Sequence, residues 1–249
     1  VQMCMSHNFF DWLPFRWKGF KQTTRYTYLL DYRAQNIHQI WANLRKSNRN
    51  TIRRAIKNKI AIRETDDVEQ AYRFFCLSFE RQGRTFPYSL DAVKALDEEV
   101  RKRDRRKIFL AVDRARRPHA VEYSVFTGRS AYRLLSGGDP ELRSLGGHTL
   151  ILWHVIQHFS DRVDLFNFGG SDIQPIEQHV RGFGGVQTGY HHIFNEELWS
   201  QPSGLLDHAK QIKHHSEQIL ECLSRKSCTE ILLLPAKMLR HFRNRKQAS

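Results

Sequence analysis

The patterned part of the chain opens at residues 22–32. Thr23, Thr24, Tyr26, Thr27, Tyr28 and Leu29 give this stretch a strand composition. The spacing then changes. Ile37, Ile40, Trp41 and Leu44 recur three and four apart and predict an amphipathic helix. A second helix follows with Ile52, Ala55 and Ile56 on its inward face, then a short strand at 60–64. Asp66 or Asp67 is placed to cap a helix striped by Val68, Ala71, Tyr72, Phe75, Cys76 and Phe79. Another helix covers 90–103. From residue 107 the period falls to two. Strands at 107–113, 119–127 and 130–136, joined by turns at 113–118 and at Gly128-Arg129, read as an antiparallel meander that Gly137-Gly138-Asp139-Pro140 breaks. Then come a helix at 147–159 with Leu150, Ile151, Val155, Ile156 and Phe159 inward, and a strand at 163–168. A short helix at 173–180, a glycine turn at 182–185 and a last strand at 186–194 complete the series.

This order predicts an α/β (α+β) fold with a mixed, mostly antiparallel central sheet flanked by helices. Three segments are expected. Residues 1–32 carry aromatic-rich strands, with Phe9, Phe10, Trp12, Phe15, Trp17 and Phe20 close together and in need of a packing partner. Residues 33–200 form the main domain, and 201–249 a basic, helical C-terminal extension with a helix at 205–223. Residue one is valine, and residues 1–6 lack the basic and apolar regions of a signal peptide. The start therefore reads as the remnant of a preceding half in a longer protein.

Composition narrows the function. Lys and Arg number 40 against 26 Asp and Glu, a formal charge of +14, which calls for an anionic partner. The charge gathers at 45–59, 101–107, 114–117 and 240–246. At 40% hydrophobic the chain can build a core. Its longest apolar runs, such as 231–234, fall far below the roughly 18 residues that span a bilayer. Four cysteines (Cys4, Cys76, Cys222 and Cys228) do not make a disulfide scaffold. Nor is a metal site expected. His191 and His192 point to opposite faces of a strand. His214 and His215 diverge by about 100° on a helix, and His208 lies about 10 Å from His215 along it.

A mixed sheet leaves backbone groups unpaired where neighbouring strands splay, and such groups can hold a carbonyl or a pyrophosphate. The loop after Ser136 contains Arg143-Ser144-Leu145-Gly146-Gly147-His148 just before a helix. Its two glycines permit close backbone approach, the helix start offers free N–H groups, and Arg143 adds charge. A glycine-rich turn without a ligand has the same spacing. On the strand at 119–127, Val121, Tyr123 and Val125 form an apolar face. Glu122 and Ser124 share the other, where they could face the splayed cleft.

Arg143-x-x-Gly146-Gly147 ahead of an amphipathic helix resembles the pyrophosphate loop of GNAT-fold acyltransferases, with His148 standing where that motif has a small residue. Five blocks in order carry a closer resemblance. They are FRWKGFKQTTRYTY at 15–28, Trp41…Leu44…Arg53-Arg54-Ala55, LLSGGDPELR at 134–143, FNFGGS at 166–171 and IEQHVRGFG at 176–184. Together, over roughly 12–195, they are similar to the Fem-type branch, which includes peptidoglycan aminoacyltransferases and acetyltransferase-like proteins. The resemblance implies acyl transfer to an amine, without a metal or a covalent enzyme intermediate. The implied donor is acetyl-CoA or another acyl-CoA, or alternatively aminoacyl-tRNA. The acceptor would be an amine, such as a cell-envelope precursor. It places the donor on Ser136, Arg143, Gly146, Gly147 and His148; the candidate catalytic group, Glu122, comes from strand alternation and not from a family position. Ser124, Asp164, Asn167 and Ser171 are candidates for acceptor contacts, and Ser171 also as cap of the next helix. The implied bacterial location is cytoplasmic, or peripheral at the inner face of the membrane. Two rival readings stay open: a non-catalytic GNAT-like binding module, since His148 replaces a small residue, and a basic protein that binds RNA or an anionic membrane surface.

Overall fold

A computed structural model describes residues 2–195; the predicted helix at 205–223, Cys222, Cys228, His208, His214, His215 and the basic end at 240–246 lie outside it. Eight strands form one sheet: β1 (Gln2–Cys4), β2 (Lys21–Asp31), β3 (Ala61–Glu64), β4 (Arg106–Val112), β5 (Pro118–Phe126), β6 (Ser130–Gly138), β7 (Leu165–Asn167) and β8 (Val186–Phe194). Their order is β1-β8-β2-β7-β6-β5-β4-β3. Every neighbouring pair is antiparallel except β6 with β7. The expected mixed, mostly antiparallel sheet is therefore present. β2, which the sequence reading set with the N-terminal segment, runs through it, pairing with β8 from Lys21↔Phe194 to Leu29↔Val186 and with β7 from Leu29 to Asp31.

The sheet separates two packed layers. On one face lie α4 (Val68–Glu80) and α5 (Leu90–Lys102), against Ile108, Leu110 and Val112 of β4 and Val121, Tyr123 and Val125 of β5. On the other lie α2 (Ile37–Asn43), α3 (Lys46–Lys57), α6 (Gly147–Phe159) and α7 (Gln174–Arg181), against Phe109, Ala111, Ala120 and Ala131. Strand alternation thus sends consecutive residues of β4 to different cores. A third apolar cluster holds Phe9 and Phe15, the latter the buried residue of the short helix α1 (Leu13–Arg16), together with Met3 and Ile193.

Local chemistry sets the helix boundaries. Asp67 accepts from the Gln70 N–H at 2.8 Å and caps α4. Asn36 and Gln39 form a reciprocal capping box on α2. α6 is buried on more sides than its predicted stripe, because Leu152 and Trp153 are covered as well; Trp153 packs against Trp41 with ring centroids 5.0 Å apart and planes tilted by 53°. Two expectations at helix surfaces fail. Ile56 points to solvent, because the buried stripe of α3 is Asn48, Ile52 and Ala55. Ser171 does not cap α7: its Oγ accepts from Ile173 N–H at 3.2 Å, and Ile173 occupies the cap position without a side-chain bond. The glycine pair does not break the third meander strand either. β6 runs through Gly138, and a β-carbon on Gly137 would sit 2.2 Å from the Phe74 carbonyl oxygen, so the missing side chain lets α4 lie directly on the strand.

Candidate functional site

β6 and β7 pair at only three positions, Ser130↔Leu165, Ala131↔Phe166 and Tyr132↔Asn167. Beyond them the strands part. The chain after β7 stays with β2, where Phe168 N–H donates to the Tyr28 carbonyl at 3.0 Å. Asn167 helps to fix the departure: its Oδ1 accepts from Thr27 Oγ1 at 2.6 Å and from Gly169 N–H at 2.9 Å. Residues 133–138 of β6 continue without a β7 partner, so the outward backbone groups of 133–137 border a wedge between the strands, while Gly138 N–H donates to Ser78 Oγ at 3.0 Å. α6 begins at this end of the sheet, because a β-carbon on Gly138 of β6 would lie 3.7 Å from the His148 ring.

A β-bulge sets the chemistry of the wedge. Across β5 and β6 the register runs Glu122↔Ser136 and Tyr123↔Leu135, then skips to Ser124↔Arg133. Leu134 is the extra residue. Residues three apart on a regular strand face opposite sides, but the bulge turns Arg133 and Ser136 to the same side, the α6 side, with Glu122. Arg133 Nε donates to Glu122 Oε1 and Oε2 at 3.0 and 2.9 Å, and Nη2 donates to Oε1 at 2.7 Å. Nη2 also donates to Ser136 Oγ at 2.6 Å and lies 3.4 Å from His148 Nε2. His148 Nε2 in turn is 3.9 Å from Glu122 Oε1. His179 of α7 packs its ring on His148 with centroids 5.4 Å apart. The Glu122 side chain has no exposed surface, whereas that of His148 keeps 30%.

Burial pushes the Glu122 carboxyl above its ordinary range, opposed by the Arg133 guanidinium. Burial pushes His148 well below the usual imidazole value, reinforced by the charges of Arg133, Arg143 and Arg81 and by His179. His179 falls to about 4 by the same causes, burial first and then Arg133 and Arg143. Both rings are therefore neutral at pH 7, in a field made by three arginines.

The structure brings Glu122, Ser136, His148 and Arg143 to this end of the sheet. Arg143 is exposed on a single 3-10 turn that leads into Gly146. Gly146 has φ +88°, and a β-carbon there would lie 2.8 Å from Thr51 Cγ2; at Gly147 one would lie 2.8 Å from His119 Cβ. The two glycines thus let α6 start flush against α3 and β5. Their first-turn N–H groups have no acceptor within the helix, as at any helix start. Two candidates stay apart from the wedge. Asp164 precedes β7 at its other end and pairs with Arg129 at 2.7 Å. Ser124 is buried under α6, and its hydroxyl has no hydrogen-bond partner among the described residues. Glu122 and Ser124 do share a face, as expected, but that face is covered by α6 rather than open. Arg133 and His179 escaped the sequence reading. A charged residue within the apolar 130–136 strand was the available signal for Arg133; the bulge that aims it had none.

Among the described residues no group of three or more His, Cys, Asp or Glu side chains could hold a metal ion, and no helix is long and apolar enough to cross a membrane.

A family model described as an acetyltransferase (GNAT) domain matches residues 42–175. No curated protein sequence matches the chain. Among solved structures, FemX superimposes with a TM-score of 0.61 at 11% identity, over 75% of this chain and 69% of its own. A conserved protein of unknown function from Bacteroides thetaiotaomicron gives 0.52 at 10% identity, over 71% and 62%. L-PGS from Bacillus licheniformis gives 0.50 at 8% identity, over 85% and 70%. At these identities the likeness is one of fold.

Proposed function

This chain belongs to the GNAT acetyltransferase family, and from that premise we infer that it is an N-acyltransferase working in the wedge between β6 and β7. Acyltransferase chemistry in general follows from the family. The observation that supports this placement is the convergence of three features: the edge of β6 that β7 leaves unpaired, the start of α6 and the Glu122–Arg133–Ser136–His148 cluster.

In this reading the acyl donor lies along the open edge of β6. Outward backbone N–H groups receive the carbonyl oxygen as it gains charge. The phosphates of the donor meet Arg143 and the first turn of α6 around Gly146, Gly147 and His148. The donor is an activated acyl group on a polyanionic carrier, a description that acetyl-CoA and aminoacyl-tRNA share. The acceptor enters from the α7 side, past Asn167 and Ser171, as a neutral amine.

Attack by the amine requires a proton to leave its nitrogen. Arg133 occupies both oxygens of Glu122, so the carboxylate is poorly placed to take that proton. His148, half-open to the wedge and neutral, is better placed. We therefore assign Glu122 to hold the Arg133 guanidinium in its orientation and His148 to accept the proton. The cationic field that depresses His148 weakens once an anionic donor sits on Arg143 and Arg81. Donor binding then raises the basicity of the ring when it is needed.

The test is direct. The chain is incubated with an amine panel and either acetyl-CoA or charged tRNA, and the acceptors are weighed by mass spectrometry. A mass gain from one donor and not the other identifies the carrier, and His148→Ala should abolish most of it. Consumption of neither donor overturns the enzyme reading, while donor-dependent heat in calorimetry without turnover would favour a binding module.

A further inference from the structure

The N-terminal aromatic segment is built inside out. Phe9 and Phe15 are 7% and 9% exposed and meet edge to face, with centroids 6.0 Å apart. They pin the segment to the β1–β8 edge through Met3 and Ile193. Around that anchor, Phe10 is 79% exposed, Trp17 75% and Leu13 45%. Leu13 and Trp17 stand four apart, flank the single turn of α1, and lie on one side of it. Large apolar side chains exposed singly are ordinary, whereas a cluster of them marks an interaction surface.

The polar surroundings identify the partner. Arg16 and Lys18 are exposed among the aromatics, and Asp11 is the sole acid between residues 9 and 21. Asp11 is exposed too, with its Oδ1 accepting from Leu13 N–H at 3.1 Å, so the cations outnumber it. Indole and phenyl rings ringed by lysine and arginine match the boundary of a bilayer, where rings settle among the headgroups and cations meet anionic lipid.

The location is consistent with surface work. The chain that leaves the wedge follows β2 toward its start, with Phe168 beside Tyr28 and Gly170 against the Tyr26 carbonyl. α1 immediately precedes that start. The patch and the open end of the wedge therefore lie toward the same end of the sheet.

We propose that Phe10, Leu13 and Trp17, with Arg16 and Lys18, form a peripheral docking site for an anionic lipid bilayer. The experiment is flotation of the 249-residue chain with phosphatidylcholine vesicles and with vesicles containing a third phosphatidylglycerol. Binding is expected on the anionic vesicles, with a blue shift of tryptophan emission that is reduced in Trp17→Phe. The triple variant Phe10→Ser/Leu13→Ser/Trp17→Ser should lose at least tenfold in partition. Arg16→Glu/Lys18→Glu should lose about fivefold per charge. Thermal melting of each variant establishes that it is folded; should the triple variant melt, Trp17→Ser alone carries the test. Wild-type partition by a folded variant overturns the proposal, as does absence of binding to either vesicle. Two further outcomes also overturn it: a patch variant that changes only the oligomeric state in size-exclusion chromatography, and one that weakens only RNA binding. None of these readouts involves acyl transfer, so the result stands apart from the proposed activity.

Discussion

Replacing Arg133 by methionine keeps most of the side-chain stem and removes the charge that Glu122 requires. Glu122 has no exposed surface, the Arg133 side chain retains 8%, and the nitrogen–oxygen distances are 2.7 to 3.0 Å. Breaking a buried pair of this kind costs about 3–5 kcal/mol, mostly because the remaining charge is stranded. For a domain of this size, that corresponds to a melting point lower by roughly 6–20 °C. Glu122→Leu should be costly as well, since it strands Arg133. The double variant Arg133→Met/Glu122→Leu strands neither group and should recover about 2–4 kcal/mol relative to the sum of the singles. The sign of the pH response gives a second check. An unpaired buried Glu122 has a raised pKa, so the native state binds the extra proton. The stability of Arg133→Met is then greatest below the unfolded carboxyl value near 4 and lost as pH rises toward neutral. Denaturant unfolding of the four proteins at pH 5 and pH 7 measures both effects. Additive single substitutions, or an Arg133→Met penalty that does not shrink at pH 5, would refute the buried ion pair as the element that organises the wedge.

Gly137→Ala forces a methyl group to within 2.2 Å of the Phe74 carbonyl oxygen; a loss of about 3 kcal/mol or more in unfolding free energy is expected, as for severe overpacking. His158, His179 and His192 have folded pKa values lowered to about 4, and His148 lies well below its ordinary value. The unfolded chain therefore binds more protons below about 6.5, and stability should fall as pH drops from there toward about 4. Melting curves across that range check it, and a flat profile would contradict the buried neutral rings. His148→Ala should lower kcat by about a hundredfold or more while sparing the melting point, with His148→Gln no better, because amide cannot take up a proton.

How much of this was legible follows from the range of each signal. Period and capping are local, so β8, α4 and the α6 stripe could be read from spacing, and Asp67 from its place before an apolar run. The apolar face of β5 was equally readable. What lies across that strand was not, because alternation tells which residues share a face and is silent about what covers it. Glu122 was singled out on that ground, but the open cleft assumed for it is the underside of α6. The Arg143–His148 loop was found by its motif, and here two causes overlap. The glycines that would admit a phosphate are also required by the contacts at Thr51 and His119. Asp164 and Asn167 were chosen together from one strand, and β7 is so short that its two ends serve different parts of the fold.

The bulge at Leu134 shows why a candidate site can remain hidden even when the strands that carry it are recognised. In a regular β6, the register that sets Ser136 opposite Glu122 would turn Arg133 toward α4, into Val125 and the phenylalanine layer. A guanidinium buried there would have no carboxylate beside it. One inserted residue reverses its side and converts that loss into a bidentate pair. The insertion also leaves Leu134 and Leu135 packed on the α4 layer, so the apolar count of the strand gives no warning. Hydrophobic pattern records the area each strand buries, whereas the site depends on parity, which a single residue inverts without changing that area. The polar residues of β5 and β6 are therefore informative only as a set. An acid, an arginine and a serine in one hairpin, at spacings that cannot all share a face, imply either unpaired buried charge or a bulge. Only the bulge is compatible with a stable core.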